Sequence, residues 1–201
     1  MMPTRYSQND EQDHLLKFFE GKPIGRFLEI GAYNGIDFSN TLALAELGWA
    51  GVCVEPSPGP FLGLLKLHGQ RAGIQIVQAA VAEKDEWLTF HDSGGDAIST
   101  LSIAHRVKWE TGIQSTFTPF QLRAVTVAQL LERFGTNFDF ISLDVEGTNL
   151  PLFKLLPFAA PTLKVICVEH DYHYDEMQGI AGTHGFKTLT INGENLILAR
   201  E

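Results

Sequence analysis

Two apolar runs in this chain end in carboxylates. Phe138-Asp-Phe-Ile-Ser-Leu143 leads into Asp144-Val-Glu-Gly147, and Leu163-Lys-Val-Ile-Cys-Val168 leads into Glu169-His-Asp171. Side chains two apart on a strand share a face, so Asp144 and Glu146 are expected to look into one cleft. In open α/β sheets that cleft lies at the carboxyl ends of the strands. Two chemistries for activating a hydroxyl follow. In one, Asp144, Glu169 and His170 hold a hard divalent cation such as Mg2+ and Glu146 is the general base, because a metal-bound hydroxyl loses its proton more readily. In the other no metal takes part, His170 or Glu146 removes the proton, and Asp144 orients the substrate or the cofactor. The candidate catalytic residues are therefore Asp144, Glu146 and His170. Quieter roles stay open: Asp144 as a loop anchor, Glu146 as a helix cap, and His170 and His173 as satisfied loop histidines.

A second pair of segments points to a cofactor. Phe27-Leu-Glu-Ile-Gly-Ala-Tyr-Asn-Gly35 is answered by Val52-Cys-Val-Glu-Pro56. A carboxylate about 20 positions beyond a glycine-marked turn is where nucleotide folds hold a ribose diol, which assigns Glu55 to that task. The turn itself departs from the dinucleotide pattern, since Glu29 precedes it and Tyr33 replaces a middle glycine. A carboxylate there repels a pyrophosphate and attracts a cation, and S-adenosylmethionine carries an ammonium and a sulfonium. Its own carboxylate can meet backbone amides at the start of the following helix. The expected cofactor contacts are Glu29, Gly31, Ala32, Tyr33, Gly35, Glu55, Pro56, Ala80 and Asp144. The alternative is that Glu29 is a surface turn residue and the glycines only shape a tight loop. Tyr33, His91, His105 and Trp109 are candidates to line a substrate cavity.

The elements that must position these residues alternate between strand and helix. Strands are expected over Arg26–Ile30, Gly51–Val54, Ile74–Ala79, Phe138–Leu143 and Leu163–Glu169, with a further one over Trp87–His91. Helices are expected over Gln12–Glu20, Gly35–Leu47, Phe61–His68, Thr126–Phe134 and Thr148–Leu156, the last with Thr148 as N-cap and Pro151 in its first turn. Gly21–Gly25 breaks the first helix. Asp92–Thr118 is rich in Ser, Thr and Gly and lacks periodicity, so it reads as a mobile substrate loop over 92–118. Phe186–Ile191 and Asn195–Ala199 form a closing hairpin across Asn192-Gly-Glu194. The result is an α/β fold with a doubly wound, mostly parallel sheet and an antiparallel end. Residues 1–201 are expected to form one domain, with 1–25 as an N-terminal helical extension.

The bulk numbers narrow the partners. The 201 residues are 44% hydrophobic and 19% charged, and the formal net charge is −9. An acidic surface repels phosphate backbones and anionic lipid, which argues against nucleic acid or membrane as main partner and for a small-molecule acceptor. No apolar run approaches the roughly 20 residues of a spanning helix, and Met1 to Asp13 lacks a signal-peptide core. Cys53 and Cys167 fall in strands expected to have two others between them, roughly 14 Å apart and beyond disulfide reach. They read as reduced core residues of a cytoplasmic protein. The sequence leaves the oligomeric state open, a homodimer included.

In series, these segments resemble the FkbM-type methyltransferases, a branch of the S-adenosylmethionine-dependent class. The resemblance runs from Ser7-Gln8 through Asp13, over Phe27–Gly35, Ser39-Asn-Thr41, Trp49–Pro56 and Leu143–Gly147, to Glu169. It implies a class I, Rossmann-like seven-stranded sheet and methyl transfer to a hydroxyl of a sugar, polyketide or other natural product. It also implies cofactor contacts at Glu29, Gly31, Asn40 and Glu55. Asp144-x-Glu146 and Glu169-His170 look like the acidic stations of metal-dependent sugar O-methyltransferases, with His170 where a second acid is usual. The family's Gly-Ala-Glu continuation is Gly147-Thr-Asn149 here, so its third acid has no counterpart. Two rival readings fit the same residues: an NAD(P)-dependent oxidoreductase, and a noncatalytic cofactor-binding module of the same fold.

Overall fold

The described chain of the computed structural model comprises residues 4–22 and 24–201. Its elements run α1 (Glu11–Phe18), β1 (Arg26–Ile30), α2 (Leu42–Glu46), β2 (Ala50–Val54), α3 (Pro58–His68), β3 (Ile74–Val77), β4 (Trp87–Asp92), α4 (Ile103–Gly112), β5 (Thr118–Arg123), α5 (Val127–Phe134), β6 (Phe140–Leu143), α6 (Asn149–Phe153), β7 (Val165–Glu169), α7 (Tyr174–Gly182), β8 (Lys187–Ile191) and β9 (Asn195–Ala199). Of the expected N-terminal extension and the Gly21–Gly25 break, Met1–Pro3 and Pro23 lie outside the described residues.

Seven strands form one sheet in the order β3-β2-β1-β6-β7-β9-β8. The five strands from β3 to β7 are parallel, and β9 runs antiparallel to both β7 and β8. The doubly wound α/β sheet with an antiparallel terminal hairpin is therefore present. Strand order reverses between β1 and β6, so the crevice of such a sheet opens where Ile30 and Leu143 end in register.

The central strands read as continuous apolar runs because both faces are covered. Leu28, Val52, Ile141 and Ile166 pack on one side, and Phe27, Cys53, Phe140 and Cys167 on the other. Glu29 sits on the second side, in register with Cys53 and Ser142. Cys53 and Cys167 are free and buried, with β1 and β6 between their strands.

Several boundaries differ from expectation, each for a local reason. The helix expected over Gly35–Leu47 shrinks to α2. Tyr33, Gly35 and Phe38 take φ values of 49°, 77° and 62°, and the Asn34 side chain accepts the amides of Ile36 and Asp37, so the chain turns rather than coils. The helix expected over Thr148–Leu156 shrinks to α6, and the Thr148 side chain makes no capping bond. The 92–118 stretch is not irregular throughout, because it contains α4, capped by the Ser102 hydroxyl on the His105 amide. It ends in β5, which pairs antiparallel with β4 in a separate two-stranded sheet. Neither β5 nor α7 is signalled by periodicity. No described helix is long and apolar enough to cross a membrane.

Candidate active site

The ends of β1, β2, β6 and β7 open into a cavity of about 400 Å3. Of the expected cofactor contacts, Glu29, Gly31, Ala32, Tyr33, Asn40, Glu55, Pro56, Ala80 and Asp144 line it. Gly35 does not. It lies against α3, where a β-carbon would come within 2.7 Å of Leu64 Cδ2, so this glycine serves packing.

Glu55 is buried at the end of β2. Its Oε2 accepts the Tyr33 amide at 2.8 Å and its Oε1 the Ser57 amide at 2.7 Å. Each carboxylate oxygen has two lone pairs, so acceptor capacity remains for a ligand diol. Burial pushes its pKa up to about 7 against these amide bonds. Glu29 is 3% exposed, which rules out the surface-turn reading. Its Oε2 accepts the Thr41 hydroxyl at 2.7 Å and the Cys53 thiol at 3.7 Å, so it braces the returning loop from beneath. Burial raises it to about 7 as well.

The acidic groups expected around the mouth do converge, by a different route. Strand β6 stops at Leu143, so strand alternation does not align Asp144 with Glu146. Glu146 turns inward at a φ of 57°. Asp144, Glu146 and Glu169 each bring an oxygen within 4.8 Å of the others. Burial first, then mutual repulsion, pushes Asp144 and Glu169 well above the usual carboxylate range, and the two share a hydrogen bond. Asn149 organises the pair: Nδ2 donates to Glu169 at 2.6 Å and Asp171 at 2.9 Å, while Oδ1 accepts the Val145 amide at 2.9 Å.

The expectation for His170 needs correction. It lines the cavity, but its Nδ1 accepts the Tyr172 amide at 3.0 Å and its Nε2 faces the Asn192 carbonyl at 3.2 Å. Both ring nitrogens are committed to backbone, leaving none as base or ion ligand. The expected triad of Asp144, Glu169 and His170 therefore does not fit a divalent cation. The third oxygen in reach belongs to Glu146, the group a base mechanism needs free.

One partner of Glu146 is invisible to sequence reasoning. His105 does not line the cavity; its Nε2 lies 2.9 Å from Glu146 Oε2, with the imidazole side chain 5% exposed. His91 is likewise absent from the lining, whereas Tyr33 and Trp109 contribute to it. His105 and Glu146 are distant in sequence, and no local spacing links them. The signal available is Gly147, whose missing β-carbon would lie 2.4 Å from His105 Nδ1.

Polar atoms in the cavity wall fit a ligand. Asn40 Oδ1, Ser57 Oγ and Asp144 Oδ1 are shielded and lack a protein partner, although buried polar groups are normally satisfied. Two unpaired acceptors at Asn40 and Asp144 suit a cationic donor such as an ammonium.

Residues 29–190 match the family model described as the methyltransferase FkbM domain. No curated protein matches the chain. Among solved structures it resembles the METTL16 methyltransferase domain, at 11% identity and a TM-score of 0.56, with 100% of this chain and 70% of that one covered. It also resembles a putative tRNA (m1A22) methyltransferase of Streptococcus pneumoniae in complex with S-adenosyl-L-methionine, at 11% identity, a TM-score of 0.51, and coverages of 96% and 72%. A hypothetical protein of Thermus thermophilus aligns at 16% identity and a TM-score of 0.52, over 100% of this chain and 91% of that one. At such identities the likeness is one of fold: the Rossmann-like sheet of S-adenosylmethionine-dependent methyltransferases.

Proposed function

The chain belongs to the FkbM methyltransferase domain family, and from that premise we propose that it methylates a hydroxyl of a sugar-like or other small natural-product acceptor. The observation that carries this reading is the single cavity lined at once by Glu55 and by Glu146. Bound S-adenosylmethionine supplies an electrophilic methyl on a sulfonium. Glu55 accepts hydrogen bonds from both ribose hydroxyls. Asn40 Oδ1 and Asp144 Oδ1, both without protein partners, receive the ammonium. Glu146 takes the acceptor hydroxyl's proton as the oxygen–methyl bond forms, the sulfur–methyl bond breaks and its electron pair stays on sulfur, leaving S-adenosylhomocysteine. Glu146 lines the cavity beside the Asp144–Glu169 pair and is the carboxylate placed to accept the proton. Family membership sets aside the nicotinamide-dependent oxidoreductase.

The test is transfer of labelled methyl from S-adenosylmethionine to a panel of sugar and polyketide alcohols. We expect turnover that Glu146→Gln lowers by about 100-fold or more, with S-adenosylhomocysteine still bound. Cofactor binding without transfer to any alcohol would favour the noncatalytic module, and full activity of Glu146→Gln would remove Glu146 as the base.

A further inference from the structure

We propose that His105 is the positioning residue for Glu146, and that the β4–β5 insertion carries helix α4 in order to deliver it. The inference rests on the reading of Glu146 as the proton acceptor and assigns that base its partner.

The insertion grips the Asp144–Gly147 turn at three points. The Thr100 hydroxyl donates to the Glu146 carbonyl at 2.6 Å. His105 Nε2 lies 2.9 Å from Glu146 Oε2. The His105 ring closes over Gly147, where a β-carbon would meet Nδ1 at 2.4 Å and Cβ at 3.0 Å. The imidazole is itself fixed: Thr100 Oγ1 accepts the Ser102 amide at 2.8 Å, Ser102 Oγ accepts the His105 amide at 3.2 Å, and the ring stacks on Trp109 with centroids 5.9 Å apart. Helix capping thus begins where the imidazole must be held.

Glu146 needs such a partner. It stands beside Asp144 and Glu169, each with an oxygen within 4.8 Å of one of its own, so its side chain has to be held in place against their repulsion. His105 Nε2, 2.9 Å from Oε2, sets a buried imidazole against that carboxylate as an ion pair rather than an aligned hydrogen bond, and so fixes its position. Burial opposes charge on His105, but Glu146 outweighs it, and the imidazole is held above its ordinary pKa. The other charges facing it are Glu169, which supports the cation, and Lys108, which opposes it. Because His105 does not line the cavity, it acts through Glu146 rather than on the acceptor.

The test combines spectroscopy with two substitutions. Nitrogen-15 histidine spectra of the full chain should show the His105 Nε2 resonance moving in Glu146→Gln, a readout that needs no acceptor. An unmoved resonance overturns the pairing, whatever the transfer assay yields. With the alcohol methylated fastest in the panel, His105→Leu should lower kcat by about 10- to 100-fold and leave S-adenosylhomocysteine affinity unchanged. His105→Gln, whose amide nitrogen can reach the same oxygen, should recover most of that loss. Equal activity of the Leu and Gln variants overturns the positioning role. Failure of the wild-type chain to methylate any alcohol would count against the methyl-transfer reading instead, and the pairing would then be judged on the nitrogen spectra.

Discussion

A β-carbon on Gly31 would lie 1.6 Å from the backbone carbonyl oxygen of Asp144. The turn after β1 and the first residue after β6 therefore touch backbone to backbone, with a φ of 85° at Gly31 that side chains rarely adopt. Gly31→Ala has to part β1 from β6 where the cavity opens. We expect insoluble protein or a loss above about 4 kcal/mol, the range reserved for severe steric lesions, measured by urea unfolding. A near-wild-type midpoint would mean that the strand ends separate easily.

Glu55→Gln keeps the shape and removes the carboxylate proposed to hold the ribose diol. A hydrogen bond to a charged group is worth about 1.5–3 kcal/mol, so at pH 8, above the Glu55 pKa of about 7, S-adenosylhomocysteine should bind about 10- to 100-fold more weakly by calorimetry. Unfolding midpoints for both proteins control for disturbance of the Tyr33 and Ser57 amides. Unchanged affinity would remove Glu55 from the cofactor site.

Glu29 makes stability depend on pH. Its folded pKa of about 7 lies above the ordinary value of 4.5, with burial the largest cause. The folded chain binds that proton more tightly than the unfolded one. The contribution is complete below about pH 4.5 and is lost as pH rises through 7. The shift corresponds to at most about 3 kcal/mol. Glu29→Gln stays neutral, and the Thr41 hydroxyl can rotate to accept from its amide. Urea unfolding should find the variant more stable than wild type at pH 8 and similar at pH 4.5. A wild-type advantage at both would show that the carboxylate is needed for its bonds alone.

The limits of the sequence follow from which contacts are local. Arg26–Ile30 and Val165–Glu169 announce themselves because buried parallel strands are uninterrupted apolar runs. The Gly35–Leu47 helix misleads because Ile36, Leu42 and Ala45 keep helical spacing while Asn34 and Phe38 impose turns that spacing does not register. Glu55 is placed by its distance from a glycine turn, a short-range rule. His105 reads in the sequence only as a cavity-lining candidate because its partner Glu146 lies across the fold. His170 looks like a ligand until the backbone of Tyr172 and Asn192 claims both nitrogens, a commitment made by a turn and by a distant hairpin. Thr126 and Gln129 show the converse: a capping box lies within four residues and sets the start of α5 where periodicity puts it.

Asn149 stands where the resemblance leads one to expect a glutamate, and the structure explains what an amide does there. The side chain is fully buried and uses both ends, accepting from Val145 and donating to Glu169 and Asp171. Asn149→Asp is nearly isosteric and keeps the Val145 acceptor, but it turns a donor into a buried acid facing two half-buried ones. An uncompensated buried charge costs about 3–5 kcal/mol. The new carboxyl would have its pKa raised by burial and by Glu169 and Asp171, so its proton is kept in the folded state and the penalty grows as pH rises. Urea unfolding at pH 5 and pH 8 should show a small loss at the lower value and the larger loss at the higher. Equal losses at both would assign the cost to the missing amide donor. No loss at either would mean that Glu169 and Asp171 are held apart without Asn149.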